Sequence, residues 1–423
     1  MIKIFLLFIS IFISINGFSQ FENYFENRTL RLDYFHSGNY EHEYYRTDEL
    51  IEKNTWAGSK INLIDTFNYG KFKIMVYDTL SGKLIYSRSY SSLFAEWRTT
   101  SEGKGSCGNF SETMLIPYPK KVVKVCFQSR DSLNKWHIVE SQIIDPEKDF
   151  ISKPLKNNIE IIPLHFAGKT EDKLDIAIIA DGYSIEDIEK MKKDFEKFNT
   201  YLLNAIPFNE NAAKINIWGV AAISEQSGIT DPKESLIVKT AVNSSFNTIN
   251  SDRYLMTLDN KSLHNALSNV AYDQIIIMCN TTKYGGGGIY NFYSTAAAGN
   301  SNTNFLIQHE FGHAFAGLGD EYYTSDVSVE DFYPLEVEPW EPNITTLVNF
   351  DEKWKDLLDK DAVIPTPPTD GKSNLIGVYE GAGYMSKGLY RPYPDCTMKS
   401  IKYNAYCPVC KRAVQRMIDF YSR

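Results

Sequence analysis

The segment 304–323 constrains this chain more than any other stretch, because it places two histidines and a glutamate in an HExxH arrangement among apolar residues. Positions four apart lie on one face of a helix, so the imidazoles of His309 and His313 can reach a single ion. Two neutral histidines and one further ligand hold Zn²⁺ with a position left for water, and Glu310 is then placed to act as the general base. The segment therefore predicts a buried helix that carries a zinc site. The alternative is an amphipathic helix with incidental histidines.

The residues after His313 supply a third ligand. Gly317 and Gly319 are good helix terminators, since glycine adopts left-handed conformations at low cost. The chain can then turn back and present a carboxylate to the same ion. Asp320 is the predicted ligand because it lies three residues after Gly317, as the third ligand does in the extended motif HExxHxxGxxH. Glu321 is the alternative.

Residues 1–19 have the pattern of a signal peptide, with one lysine, an apolar run at 4–15 and then small or polar residues. The apolar run is too short to span a bilayer comfortably, so we expect no stable membrane insertion. Cleavage after Ser19 would give a secreted, periplasmic or cell-surface protein. An uncleaved anchor is the alternative.

The rest of the chain changes character once. Residues 20–148 contain short alternating segments such as 29–34, 71–77 and 83–88, which predict an antiparallel β-sandwich. Residues 159–423 alternate strands and helices. We therefore expect an α+β multidomain protein, with an N-terminal antiparallel β-sandwich followed by an α/β zincin-like catalytic domain.

Predicted strands and a predicted helix support the α/β prediction for the second domain. An apolar strand is expected at 174–180 and a helix at 185–203, which Ser184 would cap. Further strands are expected at 215–223 and 273–279. The glycine run 285–288 lacks the Lys-Ser or Lys-Thr of a phosphate-binding loop, so it predicts a mobile loop or an edge strand lining a cleft.

Net charge and cysteine content limit the partners and the chemistry. A formal net charge of −9 argues against nucleic acid as the main partner, because phosphate contacts need clustered Lys and Arg. Six cysteines in an exported chain favour disulfides over redox catalysis. Cys107 could pair with Cys126, and Cys396 with Cys407 or Cys410. Cys279, on an apolar strand, is predicted to be a free thiol.

The sequence HEFGHAFAGLGDEYY resembles the signature of the IgA metallopeptidase family, a group of secreted bacterial zinc peptidases. Other blocks that resemble this family lie along nearly the whole mature chain, at 56–58, 86–88, 94–97, 180–183, 227–232, 390–392, 395–398 and 407–410. The resemblance implies a secreted zinc-dependent endopeptidase that acts on protein or peptide substrates, with host or mucosal glycoproteins among them. It also implies that Met398 forms an apolar floor under the zinc.

The sequence leaves two questions open. The oxyanion of the reaction could be stabilised by Tyr384, Tyr390, Tyr403 or Arg391, and spacing does not choose among them. Two other functions remain possible alternatives. One is a glycoprotein- or glycan-binding surface protein with an inactive or structural zinc domain, and the other is a zinc hydrolase of non-protein amides or esters.

Overall fold

A computed structural model describes residues 20–153, 156–323, 333–367 and 374–422. The predicted signal peptide, residues 1–19, lies outside the described residues. Within the described ranges, no helix is long and apolar enough to cross a membrane.

The N-terminal region forms two antiparallel sheets around one core. Its strands are β1 (Phe25–Gly38), β2 (Glu43–Lys53), β3 (Phe72–Asp78), β4 (Leu84–Tyr90), β5 (Gly108–Pro119), β6 (Val123–Arg130) and β7 (Trp136–Ile144). The sheet orders are β2-β1-β5 and β4-β3-β6-β7. Burial alternates strictly along β3, and Ile74 of this strand shares a core with Leu32 of β1. The predicted antiparallel β-sandwich is confirmed. Short helices α1 (Gln20–Tyr24), α2 (Leu93–Trp97) and α3 (Ser101–Gly105) complete the region.

The second region is built on one six-stranded sheet. Its strands are β8 (Glu160–His165), β9 (Leu174–Asp181), β10 (Ile215–Ala221), β11 (Gln274–Cys279), β12 (Gly286–Ile289) and β13 (Tyr293–Ala297). The order is β12-β13-β11-β9-β10-β8, with four parallel central strands and an antiparallel strand at each edge. The predicted α/β organisation is confirmed, and the glycine run forms most of the edge strand β12.

Three helices cover one face of this sheet, and a fourth helix together with the N-terminal region covers the other. The helices are α4 (Ile188–Asn204), α5 (Asn260–Ala266), α6 (Thr303–Ala316) and α7 (Pro408–Tyr421), and a hairpin joins β14 (Tyr379–Ala382) to β15 (Met385–Arg391). Ile176 and Ile178 of β9 pack in the core that contains α4, α6 and α7. Ala177 and Ile179 point the other way, into a core shared with α5 and with Leu93 of α2. Because both faces are covered, β9 is apolar at almost every position.

Short 3₁₀ turns connect these elements, at Thr170–Asp172, Ile185–Asp187, Asn209–Lys214, Pro232–Glu234, Thr248–Asn250, Phe350–Glu352 and Lys355–Leu357. The helix expected at 185–203 therefore begins as a 3₁₀ turn and continues as α4. Ser184 and Asp187 form a reciprocal capping box at its start, as the sequence predicted for Ser184.

The predicted disulfides are wrong, because all six cysteines are free thiols. Cys107 is exposed just before β5, whereas Cys126 is buried in β6 of the other sheet. Cys396, Cys407 and Cys410 lie close together but are not bonded. The prediction of a buried free thiol at Cys279 is confirmed.

Candidate metal centre

Helix α6 carries the HExxH residues and ends where the sequence predicted. Its C-cap is Gly317, with φ of 62° in the left-handed region that favours glycine. The amide of Gly317 donates to His313 O at 3.1 Å, and the amide of Leu318 donates to Gly312 O at 3.2 Å. This turn reverses the chain, so that Asp320 returns to the histidine face of the helix.

Three ligand atoms form a nearly equilateral triangle. His309 Nε2 lies 3.2 Å from His313 Nε2. Asp320 Oδ1 lies 3.2 Å from His309 Nε2 and 3.3 Å from His313 Nε2. A tetrahedral ion with bonds of about 2.0 Å holds its nitrogen and oxygen ligands about 3.3 Å apart. Asp320 Oδ1 is buried and makes no hydrogen bond of good geometry within the described ranges. These residues therefore fit a zinc ion.

Backbone carbonyls orient both imidazoles toward the triangle. His309 Nδ1 lies 2.9 Å from Thr397 O, and His313 Nδ1 lies 2.6 Å from Leu318 O. A carbonyl can only accept, so in the neutral rings each Nδ1 carries the proton. Each Nε2 then presents a lone pair to the centre of the triangle.

The structure distinguishes the two carboxylates that the sequence offered as the third ligand. Asp320 faces the histidines through Oδ1, while its Oδ2 accepts a hydrogen bond from the hydroxyl of Tyr384. Glu321 points to the opposite side, where its Oε1 accepts from Asn343 Nδ2 at 2.9 Å and lies 3.1 Å from Cys410 Sγ. Because the two side chains face different partners, only Asp320 is placed to serve this centre.

Charges make the centre a site for a cation. Burial alone would lower the pKa of His313, but the carboxylate of Asp320 outweighs burial and raises that pKa to about 9. Burial would raise the pKa of Asp320, yet the two histidines hold it below its ordinary value. The carboxylate thus stays ionised and attracts positive charge to the two Nε2 atoms.

Glu310 is half-buried and lies against the edge strand β12. A Cβ added to Gly286 would lie 3.1 Å from Glu310 Cγ and 3.4 Å from its Oε1, and one added to Gly288 would lie 2.0 Å from Glu310 O. The glycine run therefore lets strand and helix touch at the metal centre. Burial raises the pKa of Glu310 above its ordinary value, so this carboxylate holds a proton more readily than an exposed one.

The four residues that the sequence offers for the oxyanion differ in how close they lie to the metal centre. Tyr384 contacts the metal centre through the hydrogen bond that its hydroxyl donates to Asp320. Tyr403 is exposed, Tyr390 pairs its backbone with Thr345, and Arg391 Nη1 donates to the carbonyls of Glu380 and Gly381. Met398 is fully buried beneath α6, and a Cβ added to Gly312 would lie 2.9 Å from its sulfur.

Sequence reasoning missed two kinds of group. The carbonyls of Leu318 and Thr397 have no side-chain signature, so no pattern could identify them. Glu96 of α2 is the other: it accepts a 2.6 Å hydrogen bond from the hydroxyl of Tyr254, and burial raises its pKa to about 7. Its carboxyl lies close enough to interact electrostatically with Glu310 and His313. The N-terminal region thus contributes an ionisable carboxyl near the centre.

Comparison with known protein families gives two matches that together span most of the chain. The family described as IgA Peptidase M64 matches residues 162–375 and 368–418, and the one described as Peptidase M64 N-terminus matches residues 20–139. A search of curated proteins found no match. The first match covers more than half of the chain and includes His309, Glu310, His313 and Asp320. On this evidence, added to the geometry of the centre, the chain is a peptidase that belongs to the IgA Peptidase M64 family.

Proposed function

We propose that this peptidase is a zinc-dependent endopeptidase in which His309, His313 and Asp320 hold the metal and Glu310 is the general base. The observation that carries the proposal is the triangle of ligand atoms, whose sides of 3.2, 3.2 and 3.3 Å match a tetrahedral zinc site. Three protein ligands leave a fourth position for water, as in catalytic rather than structural zinc sites.

Zinc bound at this position would polarise a peptide carbonyl and lower the pKa of a water molecule. Glu310 accepts the proton of the attacking water as the new carbon–oxygen bond forms. It then donates that proton to the amine that leaves as the carbon–nitrogen bond breaks. A carboxylate whose pKa is raised by burial is suited to both transfers, because its higher proton affinity lets it accept the proton from water before it donates the proton to the amine.

The remaining residues of the centre orient these groups. Thr397 O and Leu318 O fix the two imidazoles, and Tyr384 holds Asp320 through the oxygen that does not face the histidines. Such partners of metal ligands are commonly important for metal affinity. Tyr384 is thus a positioning residue for Asp320.

The edge strand β12 supports a polypeptide as the substrate. It runs beside Glu310, and an extended peptide can bind along a strand edge through main-chain hydrogen bonds. The outer side of Gly286 already pairs with residues 253–255, so we place the substrate at the half-buried Gly288. Small amides and esters would not use this strand.

We further propose that the protein acts after export, with residues 1–19 as its signal peptide. Sequencing of the mature N-terminus from the culture supernatant, periplasm and cell surface tests this proposal. A mature chain that begins near Gln20 supports it, and an intact Met1 in a cytoplasmic fraction contradicts it.

The test of the peptidase mechanism compares the wild-type mature chain with Glu310→Gln and His313→Ala. Each is incubated with a mixture of unfolded proteins, with immunoglobulin A as a glycoprotein substrate, and with small amides, and zinc content is measured in parallel. We expect the wild type to cleave proteins and His313→Ala to lose the metal of this centre. We expect Glu310→Gln to bind zinc but to cleave at least about 100-fold more slowly. Zinc binding without any cleavage by the wild type, or cleavage of small amides alone, would contradict the endopeptidase proposal.

A further inference from the structure

A second group of metal-ligating side chains lies behind the catalytic centre. Cys396, Cys407, Cys410 and Glu321 are all buried, and their ligand atoms all lie within 4.8 Å of one another. We propose that this cluster, the Cys₃Glu cluster, binds a structural zinc ion. This site goes beyond the proposed function and does not depend on it.

The spacing of the ligand atoms fits zinc coordination. Cys396 Sγ lies 3.8 Å from Cys410 Sγ, and a tetrahedral ion with Zn–S bonds of about 2.3 Å holds its sulfurs about 3.8 Å apart. Cys410 Sγ lies 3.1 Å from Glu321 Oε1. The other oxygen of Glu321, Oε2, is buried and has no hydrogen-bond partner among the residues that the structure describes. An unpartnered carboxylate oxygen in a buried pocket is costly unless a cation or a proton is present.

The N-terminus of helix α7 lies at the Cys₃Glu cluster. Cys407 is the N-cap of α7, a helix of 14 residues, and Cys410 lies in its first turn. The partial positive charge at a helix N-terminus stabilises nearby thiolates. The amide of Cys407 also donates to Cys396 Sγ at 3.2 Å. Three thiolates and a carboxylate could be buried together only around a cation, and thiolate ligands select zinc over magnesium or calcium.

A disulfide is a poorer explanation of the same cluster. It would use two of the three sulfurs and leave the third thiol beside the buried carboxylate of Glu321. A four-ligand site uses every member of the cluster and leaves no position for water, which is the arrangement of a structural rather than a catalytic zinc.

The Cys₃Glu cluster is joined to the catalytic centre through adjacent residues. Glu321 directly follows Asp320, and Cys396 directly precedes Thr397, whose carbonyl orients His309. The amide of Glu321 donates to Met398 O at 2.8 Å, which ties these two segments together. A metal in the cluster would thus fix both the third ligand of the catalytic centre and the partner of His309. Its role is positioning, because none of its ligands faces the triangle.

Metal and thiol counts on the mature chain, purified without chelators and with zinc supplied, test the proposal. We expect about two zinc ions per chain in the wild type and about one in His313→Ala. A Cys407→Ser, Cys410→Ser double variant should also hold about one. The matched control is Cys279→Ala, which removes a buried cysteine outside the cluster and should leave both ions in place.

Cobalt replacement identifies the ligands independently of activity. Thiolate-to-cobalt charge transfer in the near ultraviolet should persist in His313→Ala and disappear in the double variant. If the double variant does not fold, the wild type still gives an answer: a mercurial reagent that blocks thiols should release about one zinc per chain. Catalytic zinc without thiolate bands leaves the proposed function intact and refutes this site.

Two results would overturn the inference. The first is a wild-type chain with a disulfide among Cys396, Cys407 and Cys410, seen as the loss of two hydrogens in the mass of their peptides. The second is a chain in which all three thiols react freely while only the metal of the histidine centre is present.

Discussion

The hydroxyl of Tyr384 should strengthen metal binding although it is not a ligand. It donates to Asp320 Oδ2, which leaves Oδ1 facing the two histidines. Tyr384→Phe removes this hydrogen bond and keeps the ring. The residue has φ of 66°, but phenylalanine is strained there as much as tyrosine, so the backbone cost cancels.

The expected loss of zinc affinity follows from the hydrogen bond to Asp320 that Tyr384→Phe removes. A hydrogen bond to a charged group contributes about 1.5–3 kcal/mol, and loss of an outer partner of a metal ligand weakens affinity about 10–100-fold. The two ranges agree, since about 1.4 kcal/mol corresponds to a tenfold change in affinity. We therefore expect the Kd for zinc at the histidine centre of Tyr384→Phe to rise by about 10–100-fold.

Competition with a chromogenic chelator on metal-stripped protein measures this Kd, and the Cys407→Ser, Cys410→Ser background isolates the histidine centre. The matched control is Tyr390→Phe, because Tyr390 lies on the same hairpin and makes its hydrogen bonds through the backbone. Equal zinc affinity in wild type and Tyr384→Phe would refute the reasoning. An equal loss in Tyr390→Phe would show that the effect comes from the hairpin rather than from Asp320.

Three further predictions rest on separate contacts. Glu310→Gln should lower the rate of hydrolysis by about 10²–10⁴-fold while zinc content stays at the wild-type level, and unchanged turnover would exclude the general-base role. Gly288→Ala should lower stability by at least about 1–3 kcal/mol and abolish activity, because its Cβ would lie 2.0 Å from Glu310 O. Gly105→Ala is its control, with nothing within 4 Å of the added Cβ, and equal melting temperatures would contradict the expectation. Burial opposes the charge of Glu43, but its hydrogen bond with His36 holds the pKa at about 2, below the ordinary 4.5. This pKa difference adds about 3 kcal/mol to the free energy of unfolding above pH 4.5, and that contribution is lost as pH falls toward 2. In urea unfolding, Glu43→Gln should therefore be less stable than wild type at pH 7 and equally stable near pH 2.

The sequence could bring His309, His313 and Asp320 together because their geometry is local. Helical periodicity aligns His309 with His313, and the glycine at 317 sets the turn that returns Asp320 to them. The choice between Asp320 and Glu321 was not local. It depends on Asn343 and Cys410, which are 22 and 89 residues away from Glu321 in sequence. No spacing rule within the motif contains that information.

The wrong disulfide predictions have a related cause. Composition and export predict that cysteines pair, but pairing also requires side chains that point at each other at bonding distance. Cys107 precedes β5 of one sheet and Cys126 lies in β6 of the other, and the two are not bonded. Near the C-terminus the fold gathers three cysteines, and it adds Glu321, which sequence analysis offered only as the alternative ligand of another site. A fourth ligand changes the chemistry of the cluster from a disulfide to a metal site.

The N-terminal region packs directly against the region that carries the metal centre. Its α2 packs Leu93 against the face of the central sheet opposite the catalytic helix, and the backbone of Ser91 donates to Tyr290 O at 2.8 Å, just after β12. Buried polar groups cross the same boundary: Arg31 donates to Asn265, and Lys53 donates to Leu267 O at 3.1 Å. Without the N-terminal region, one apolar face of the sheet would be exposed and these groups would lose their partners, at a cost of several kcal/mol. The edge strand that touches Glu310 is therefore supported from the N-terminal side, so we expect an intact metal centre to require both regions.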